Sequence, residues 1–299
     1  MSEAIGQPGQ AALPRPLGIG EILSMAFQLY RRHWRTLLAI AAVVVVPLTL
    51  LQHLLGDLER TQRETTSYGG VVSVTPTWLG AIAGLLAGLA GILMSLVLTG
   101  ATTRAVAAEV AGEDPSVEQS YRFGFHRLGS VLLVSVLVGL ATIGGLILVI
   151  VGVFLANAIL RSRDLDMTSA PVGPVILLFI IPGIYLGVRL AVSIQALVVE
   201  GRRGTEAMGR SWGLVGGHWW HAFGALLVAF LLTGIVNAVI TTPFGATNWF
   251  VQAVAAAVAT VVTLPYGVLV GVLLYLDLRA RKERLTLEAL RADLRASAA

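Results

Sequence analysis

Long stretches of apolar residues, almost free of charge, constrain this chain more than any other feature of its sequence. A helix needs about 20 predominantly apolar residues to cross the hydrocarbon core of a bilayer. Six stretches reach that length, and the only charged residue inside them is Arg189. They cover residues 36–55, 78–103, 130–160, 171–199, 222–243 and 249–276.

These stretches predict an all-α membrane fold. Peptide groups in hydrocarbon must be hydrogen-bonded within their own segment, as in a helix, and the alternating pattern of a barrel strand is missing. Charged residues make up 13% of the 299 residues, whereas a soluble domain carries about 25%. Such a chain has too little polar surface to cover a soluble globule. We therefore expect a polytopic bundle of six transmembrane helices.

The distribution of basic residues predicts the orientation of the bundle. Sixteen of the 21 basic residues lie in the N-terminal segment, the second loop, the fourth loop and the C-terminal tail. Because Lys and Arg are concentrated on the cytoplasmic side of membrane proteins, both termini are expected to be cytoplasmic. The same distribution argues against nucleic acid as a partner. The strong preference for Arg over Lys, with much Ala, Gly and Val, is typical of a GC-rich bacterial genome and favours a bacterial plasma membrane.

Three segments align without gaps and predict an internal repeat. Each starts with a small residue and an aromatic residue, and each runs into an odd-numbered span. They are AFQLYRRHWRTLL (26–38), SYRFGFHRLGSVL (120–132) and SWGLVGGHWWHAF (211–223). One repeat unit is then an amphipathic helix followed by two spans. Two spans return the chain to the same side, so the three units would be parallel.

The amphipathic helices are predicted over residues 18–35, 115–129 and 205–221. The first has an apolar face from Ile19 to Trp34, with Arg31, Arg32 and Arg35 on its other face. Helices of this kind lie in the membrane interface, with Arg directed towards anionic lipid. The alternative is that each one extends the following span into the cytoplasm. The predicted apolar stripe of the third helix is Met208, Trp212, Val215 and Trp219.

Glycines and prolines inside the spans carry two further expectations. Gly267 and Gly271, four residues apart, allow a close approach of helix backbones. Pro182 and Pro265 interrupt the fourth and sixth spans at similar depth. Broken helices at matching positions of a repeat can mark a transporter binding site, although they also occur in bundles that transport nothing.

Arg189 is the candidate site residue. An unpaired guanidinium inside a span costs about 3 kcal/mol or more, so a partner is expected. The possible carboxylate partners towards the same membrane side are Glu200, Glu109 and Asp277. The arrangement either binds an anionic ligand or lipid headgroup, or it is a structural ion pair or a snorkelling side chain.

The sequence offers no set of residues for catalysis or for a cofactor. His218 and His221 lie on one helix face, but a third metal ligand is missing and the flanking Trp219 and Trp220 favour an interfacial belt. The P-loop, nucleophile-elbow, zinc-protease and Rossmann patterns are absent. Cysteine is also absent, which excludes thiolate chemistry. We expect no catalytic, metal-binding or cofactor-binding residues.

The two ends of the chain differ in character. Residues 1–17, rich in Gly, Pro, Ala and Gln, are expected to be disordered in the cytoplasm. Residues 278–299 predict a basic cytoplasmic helix with Leu287, Leu290 and Leu294 on one face, which could dock a protein partner or rest on the bundle. The structure of the outer loop, residues 56–77, is left open.

Blocks of sequence from the beginning, middle and end of the chain are similar to one known family. They are RPLGIGEIL (15–23) with FQLYRRHW (27–34), VRL (188–190) with ALVVE (196–200) and SWGLVGGHW (211–219), and LYLDLRAR (274–281) with LE (287–288). They resemble bacterial, largely actinobacterial, proteins named for the glycerophosphoryl diester phosphodiesterase membrane domain. The resemblance implies a multi-pass membrane domain without phosphodiesterase activity, since that chemistry belongs to a separate soluble barrel.

Three functions remain open from the sequence. The leading hypothesis is a non-enzymatic scaffold or accessory protein that engages anionic lipid headgroups or partner proteins through its interfacial helices and basic tail. The second is a small transporter or channel with a site near Arg189, Pro182 and Pro265. The third is a membrane enzyme acting on lipid phosphate, which rests on the family resemblance alone.

Overall fold

The computed structural model describes residues 16–61, 63–68, 71–76, 78–110, 129, 133–134, 172–202, 204–283 and 285–298. The predicted disordered residues 1–15 lie outside this set. So do the predicted interfacial helix 115–129 and the third span 130–160, apart from residues 129, 133 and 134.

Helices make up most of the described chain. They are α1 (Ile19–Thr61), α2 (Trp78–Val110), α3 (Val172–Leu190), α4 (Ser193–Glu200), α5 (Thr205–Val215), α6 (Trp219–Thr241), α7 (Trp249–Glu283) and α8 (Leu287–Ala298). A short 3₁₀ turn, Thr242–Phe244, follows α6.

Two strands add a small element to the predicted all-α fold. Strand β1 (Arg63–Tyr68) pairs antiparallel with β2 (Val71–Pro76), in a register that places Arg63 opposite Pro76 and Tyr68 opposite Val71. They occupy the outer loop 56–77, whose structure the sequence left open. The helical class is confirmed for the rest of the described chain.

Four segments are long and apolar enough to cross a bilayer: Ile19–Asp57, Ile181–Glu200, Trp219–Phe244 and Trp249–Glu283. They coincide with the predicted first, fourth, fifth and sixth spans. Helix α2 occupies the position of the second span and continues to Val110. Apolar, membrane-compatible helices are therefore present, while the count of six spans stays a prediction.

Helix α6 buries small residues and exposes large apolar ones. Its buried residues are small ones, Ala222, Ala225 and Ala229. Its large apolar side chains point away from the bundle, among them Leu227, Phe230, Leu231, Ile235 and Val239. A contiguous apolar surface of this kind indicates contact with a membrane or a partner. Small residues at the helix contact allow close packing where lipid removes the hydrophobic drive between helices.

Helix α7 is the axis of the bundle and contacts α1, α2, α4, α5 and α6. From Val268 to Ala280 every residue is buried, as expected for a helix that is surrounded on all sides. Towards its N-terminus the exposed side chains of Phe250, Val254 and Val258 recur every fourth residue and form one outward stripe.

The predicted amphipathic helix 18–35 and the first span form one element, α1, with a kink at His33 (φ −117°, ψ 23°). The first part of α1 packs on the bundle, where Ile22 and Ala26 are fully buried. The Tyr30 hydroxyl donates to the carbonyl of Val262 at 3.0 Å. Only one side of this part of α1 covers protein, because Phe27 and Trp34 of its predicted apolar face are exposed.

The third aligned segment breaks at the corresponding residue. Helix α5 ends at Val215 and α6 begins at Trp219, so the helix predicted over residues 205–221 is two helices. His218, which the alignment pairs with His33, has φ −126° and ψ 27°. The two aligned histidines thus share a non-helical conformation between two helical segments.

The predicted fourth span, residues 171–199, is also divided, but not at its proline. Helix α3 continues through Pro182, and α7 continues through Pro265. The break lies at Ala191–Val192, between α3 and α4. The Ser193 hydroxyl donates to the carbonyl of Leu190 at 2.7 Å, which satisfies one carbonyl freed at the end of α3.

The described residues at both ends of the chain pack on the bundle. Leu17, assigned from the sequence to a disordered segment, is only 1% exposed. The predicted tail helix 278–299 is the last turn of α7 followed by α8, and Leu290 and Leu294 of α8 are buried. The Arg104 guanidinium donates to the carbonyl of Leu294 at 3.0 Å. The apolar face that could have docked a partner therefore rests on the bundle.

Replacement of Gly271 by Ala is expected to destabilise the fold. A Cβ at this position would lie 2.7 Å from Nε2 of Gln195, and that side chain is buried. Overpacking of a core costs about 1–3 kcal/mol, so the thermal unfolding midpoint in detergent should fall. Gly267→Ala is the control, because a Cβ there meets nothing within 4 Å. Equal midpoints for the two variants would contradict the expected clash with the Gln195 side chain.

Candidate functional site

A glutamate network, defined as Glu200, Arg202, Arg210, Tyr275, Arg279, Glu283 and Asp293, joins α4, α5, α7 and α8. The Glu200 carboxylate, whose side chain is 7% exposed, accepts hydrogen bonds from the Tyr275 hydroxyl at 2.6 Å and from Nε of Arg210 at 2.8 Å. Arg210 also forms a two-bond pair with Glu283. Arg279 donates to Asp293 at 2.8 Å.

The glutamate network is balanced in charge, with three arginines and three carboxylates. The hydrogen bonds to Glu283 and then to Glu200 raise the pKa of Arg210 above its ordinary value, so this guanidinium stays charged. Paired buried charges of this kind specify how elements dock against one another rather than leaving a charge for a ligand. We therefore assign the glutamate network to structure.

A second cluster, the Asp277 clamp, holds the beginning of the described chain against α7. The fully buried Asp277 carboxylate accepts from the backbone N–H of Leu17 at 2.6 Å, from Nε of Arg281 at 2.8 Å and from Nε2 of His221 at 3.0 Å. Arg281 also donates to the carbonyl of Leu17 at 2.6 Å. Both backbone polar groups of Leu17 are thereby satisfied, which explains why this residue is ordered.

Arg189 belongs to a third cluster, which contains aromatic groups instead of carboxylates. We define the arginine–tryptophan cluster as Tyr185, Arg189, Trp212 and Trp219. Nε and Nη2 of Arg189 donate to the Tyr185 hydroxyl at 3.0 and 2.8 Å, and Nη1 donates to the carbonyl of Trp212 at 3.1 Å. The guanidinium carbon lies 4.6 Å from the Trp212 ring centre and 5.3 Å from that of Tyr185.

Stacked rings fix this cluster at the start of α6. Tyr185 stacks on Trp219 with ring centres 5.8 Å apart, and Trp219 stacks on Phe223 at 5.1 Å. The Trp219 indole also donates to the carbonyl of Tyr185 at 3.3 Å. A row of Trp and Tyr rings at the end of an apolar helix is typical of a membrane interface.

The structure does not bring Arg189 to its predicted partners. Glu200 lies in the glutamate network and Asp277 in the Asp277 clamp, while the side chain of Glu109 on α2 is outside the described set. In the described ranges no carboxylate forms an ion pair with Arg189. The residue also lies in the last turn of α3, next to the break between α3 and α4.

Sequence reasoning missed both partners of Arg189. Tyr185 lies four residues earlier on the same helix, and residues at that spacing share a face, so this contact could have been inferred. The Trp212 carbonyl is 23 residues away and reaches Arg189 only through the packing of α5 on α3. No local sequence pattern predicts that contact.

The arginine–tryptophan cluster can receive an anion. A guanidinium has five N–H donors, and three hydrogen bonds to this chain are present at Arg189. The remaining N–H groups can donate to a phosphate or carboxylate oxygen, and charge-assisted bonds of this type are about twice as strong as neutral ones. Among the described residues no three acidic or histidine side chains are placed to hold a metal ion.

Replacement of Glu200 by Gln is expected to destabilise the protein strongly. The change leaves Arg210 and Arg279 without one of their carboxylate partners, and breaking a buried ion pair costs about 3–5 kcal/mol. Arg202→Gln removes an exposed partner of the same carboxylate, with a side chain 46% exposed, and should cost less than about 1 kcal/mol. Thermal unfolding of both variants in detergent tests this, and similar losses would refute the structural assignment.

Comparison with known proteins places the chain in one family. The model of a family described as a domain of unknown function, DUF7847, matches residues 17–277. The matched segment begins and ends at Leu17 and Asp277, the two residues joined by the buried hydrogen bond of the clamp. No curated protein and no solved structure matches the chain. Since the match covers most of the sequence, the chain belongs to the DUF7847 family.

Proposed function

We propose that this chain is a non-enzymatic membrane domain that engages the headgroups of anionic lipids. The observation that carries the proposal is the arginine–tryptophan cluster, in which a cation is held by neutral groups beside stacked interfacial rings. Every acidic side chain that the sequence offered to Arg189 and that the structure describes is engaged elsewhere. An anionic headgroup is the group that lipid supplies at this depth.

The position of Arg189 supports a headgroup rather than a ligand inside the bilayer. The residue lies in the last turn of α3, and its ring neighbours Trp212 and Trp219 lie in α5 and at the start of α6. Trp220, next to this cluster, is 77% exposed. Indole rings prefer the headgroup region of the bilayer. The guanidinium beside them therefore lies at the depth of the lipid phosphates.

We place this domain in a bacterial plasma membrane, with six spans and both termini in the cytoplasm. Sixteen basic residues lie on the side assigned to the cytoplasm, which supports this orientation. The shared conformation of His33 and His218 supports the predicted repeat of an amphipathic helix followed by two spans. The resemblance to the glycerophosphoryl diester phosphodiesterase membrane domain fits a domain of this kind.

The transporter hypothesis has less support among the described residues. Neither Pro182 nor Pro265 breaks its helix. A cavity of about 10 Å³ lies between α1, α2 and α7, and its volume suits a single water molecule. Its lining, Leu29, His33, Thr36, Leu37, Ala105, Val106 and Leu269, does not include Arg189.

Arg189→Gln is expected to weaken the preference of the protein for anionic lipid. Loss of one charge-assisted contact of about 1.5 kcal/mol corresponds to a roughly tenfold change in affinity. The measurement is the ratio of phosphatidylglycerol to phosphatidylcholine that stays bound to the full chain in native mass spectrometry. Arg295→Gln, which removes the same charge from an exposed position on α8, is the control. An unchanged ratio in Arg189→Gln refutes the headgroup site.

The proposed orientation can be measured directly, because the chain contains no cysteine. Ala246→Cys lies in the exposed turn before α7, and Ala296→Cys lies on the exposed side of α8. A membrane-impermeant maleimide should label Ala246→Cys in intact cells and Ala296→Cys only after lysis, because the two residues lie on opposite sides of the membrane. The reverse pattern would overturn the orientation.

A further inference from the structure

A second cation meets the same end of α5 as Arg189. Lys282, on the last turn of α7, donates its ammonium to the carbonyl of Gly213. Arg189 donates to the carbonyl of Trp212, the preceding residue. Two cations, from α3 and from α7, therefore donate hydrogen bonds to consecutive carbonyls in the last turn of α5.

These two cations differ from the arginines of the glutamate network and of the Asp277 clamp. Arg202, Arg210, Arg279 and Arg281 all pair with carboxylates. In the part of the chain that the structure describes, no carboxylate forms an ion pair with Lys282 or Arg189. The carbonyls at a helix C-terminus carry about half a negative charge. That charge accounts for the attraction of the two cations to α5 but leaves most of their positive charge uncompensated.

The surface around the two cations is open. Lys282 and Gly213 are exposed, and the Trp212 residue is 41% exposed. A Cβ placed on Gly213 or Gly217 would meet nothing within 4 Å. Among the described residues, no side chain at either glycine therefore blocks the approach of a phosphate group to Arg189 and Lys282.

We propose that Arg189 and Lys282 together bind a phosphate monoester group. The inference rests on the proposed headgroup function and adds a second cation and a ligand class. A phosphate monoester carries a charge of about −1.5 to −2 at pH 7, which matches two cations, whereas a phosphodiester carries about −1. The Arg fork supplies directed hydrogen bonds and the Lys ammonium supplies a compact charge. Phosphatidic acid presents this group at the depth of Trp219, and inorganic phosphate is its soluble counterpart.

The test compares the affinity of the detergent-solubilised full chain for phosphatidic acid, phosphatidylglycerol and phosphatidylcholine with identical acyl chains. The wild type should bind phosphatidic acid roughly tenfold more tightly than phosphatidylglycerol, as expected for one additional charged contact. Lys282→Gln should abolish that difference, and Lys282→Arg should keep it. Arg189→Gln should weaken the binding of both anionic lipids.

A further variant tests the geometry without removing a charge. A Cβ on Gly216 would lie 2.9 Å from Nη1 of Arg189, so Gly216→Ala should displace the guanidinium and weaken phosphatidic acid binding. Gly209→Ala is its control on α5, because a Cβ there meets nothing within 4 Å. Equal phosphatidic acid affinities for the two alanine variants would count against the proposed geometry.

The outcomes separate this inference from the proposed function. If Lys282→Gln keeps the preference for phosphatidic acid while Arg189→Gln loses anionic lipid, the two-cation site is refuted and the headgroup function stands. The same refutation follows if Lys282→Gln lowers only the unfolding midpoint, because Lys282 then caps α5 and nothing more. If neither variant changes lipid binding, both proposals fail. Inorganic phosphate that displaces phosphatidic acid at equal concentration would support the phosphate site and assign it to a soluble ligand.

Discussion

The packing of small residues against one another, with large apolar side chains turned outwards, is the constraint on which the rest of this structure depends. Alanines of α6 are buried in the bundle, while Phe230, Ile235 and Val239 of α6 face away from it. In water this arrangement would expose a large apolar surface and leave the helix contact with little hydrophobic gain. In lipid the outward side chains cost nothing, and the small residues bring the backbones close enough for dispersion to hold them.

At the polar end of the bundle, charged residues fall into two groups: those paired with an opposite charge inside the protein, and those whose charge is available to an anionic ligand. Near α4 and α8, arginines and carboxylates occur in equal number and bind one another, so each buried charge has a partner. At the end of α5, Arg189 and Lys282 bind carbonyls instead. Because carbonyls orient a cation without neutralising it, the same helix end both positions the two groups and leaves their charge available to an anion.

Much of the helical fold could be predicted from the sequence, because the length of an apolar stretch follows from the thickness of a bilayer. The breaks between the helices could not be predicted, since they depend on tertiary contacts. The break after Leu190 is stabilised by two serine hydroxyls. Ser193 donates to the carbonyl of Leu190, and Ser211 donates to the carbonyl of Arg189. The order of Leu17 depends on Asp277, 260 residues away. Composition carries no information about such a contact, and for that reason the composition of residues 1–17 placed Leu17 in a disordered segment.

The candidate site has a counterpart at an aligned position of the predicted repeat. The alignment that pairs His33 with His218 also pairs Phe27 with Trp212. Arg31 lies over the ring of Phe27 at 6.0 Å, and Arg189 lies over the ring of Trp212 at 4.6 Å. In the first case the arginine comes from the next turn of the same helix, and in the second it comes from α3. A cation over an aromatic face is stabilised by about 0.5–2 kcal/mol, more when it is shielded from water. An exposed aromatic ring with an arginine on it is therefore a feature of both described copies, and only the second adds the neighbouring Lys282.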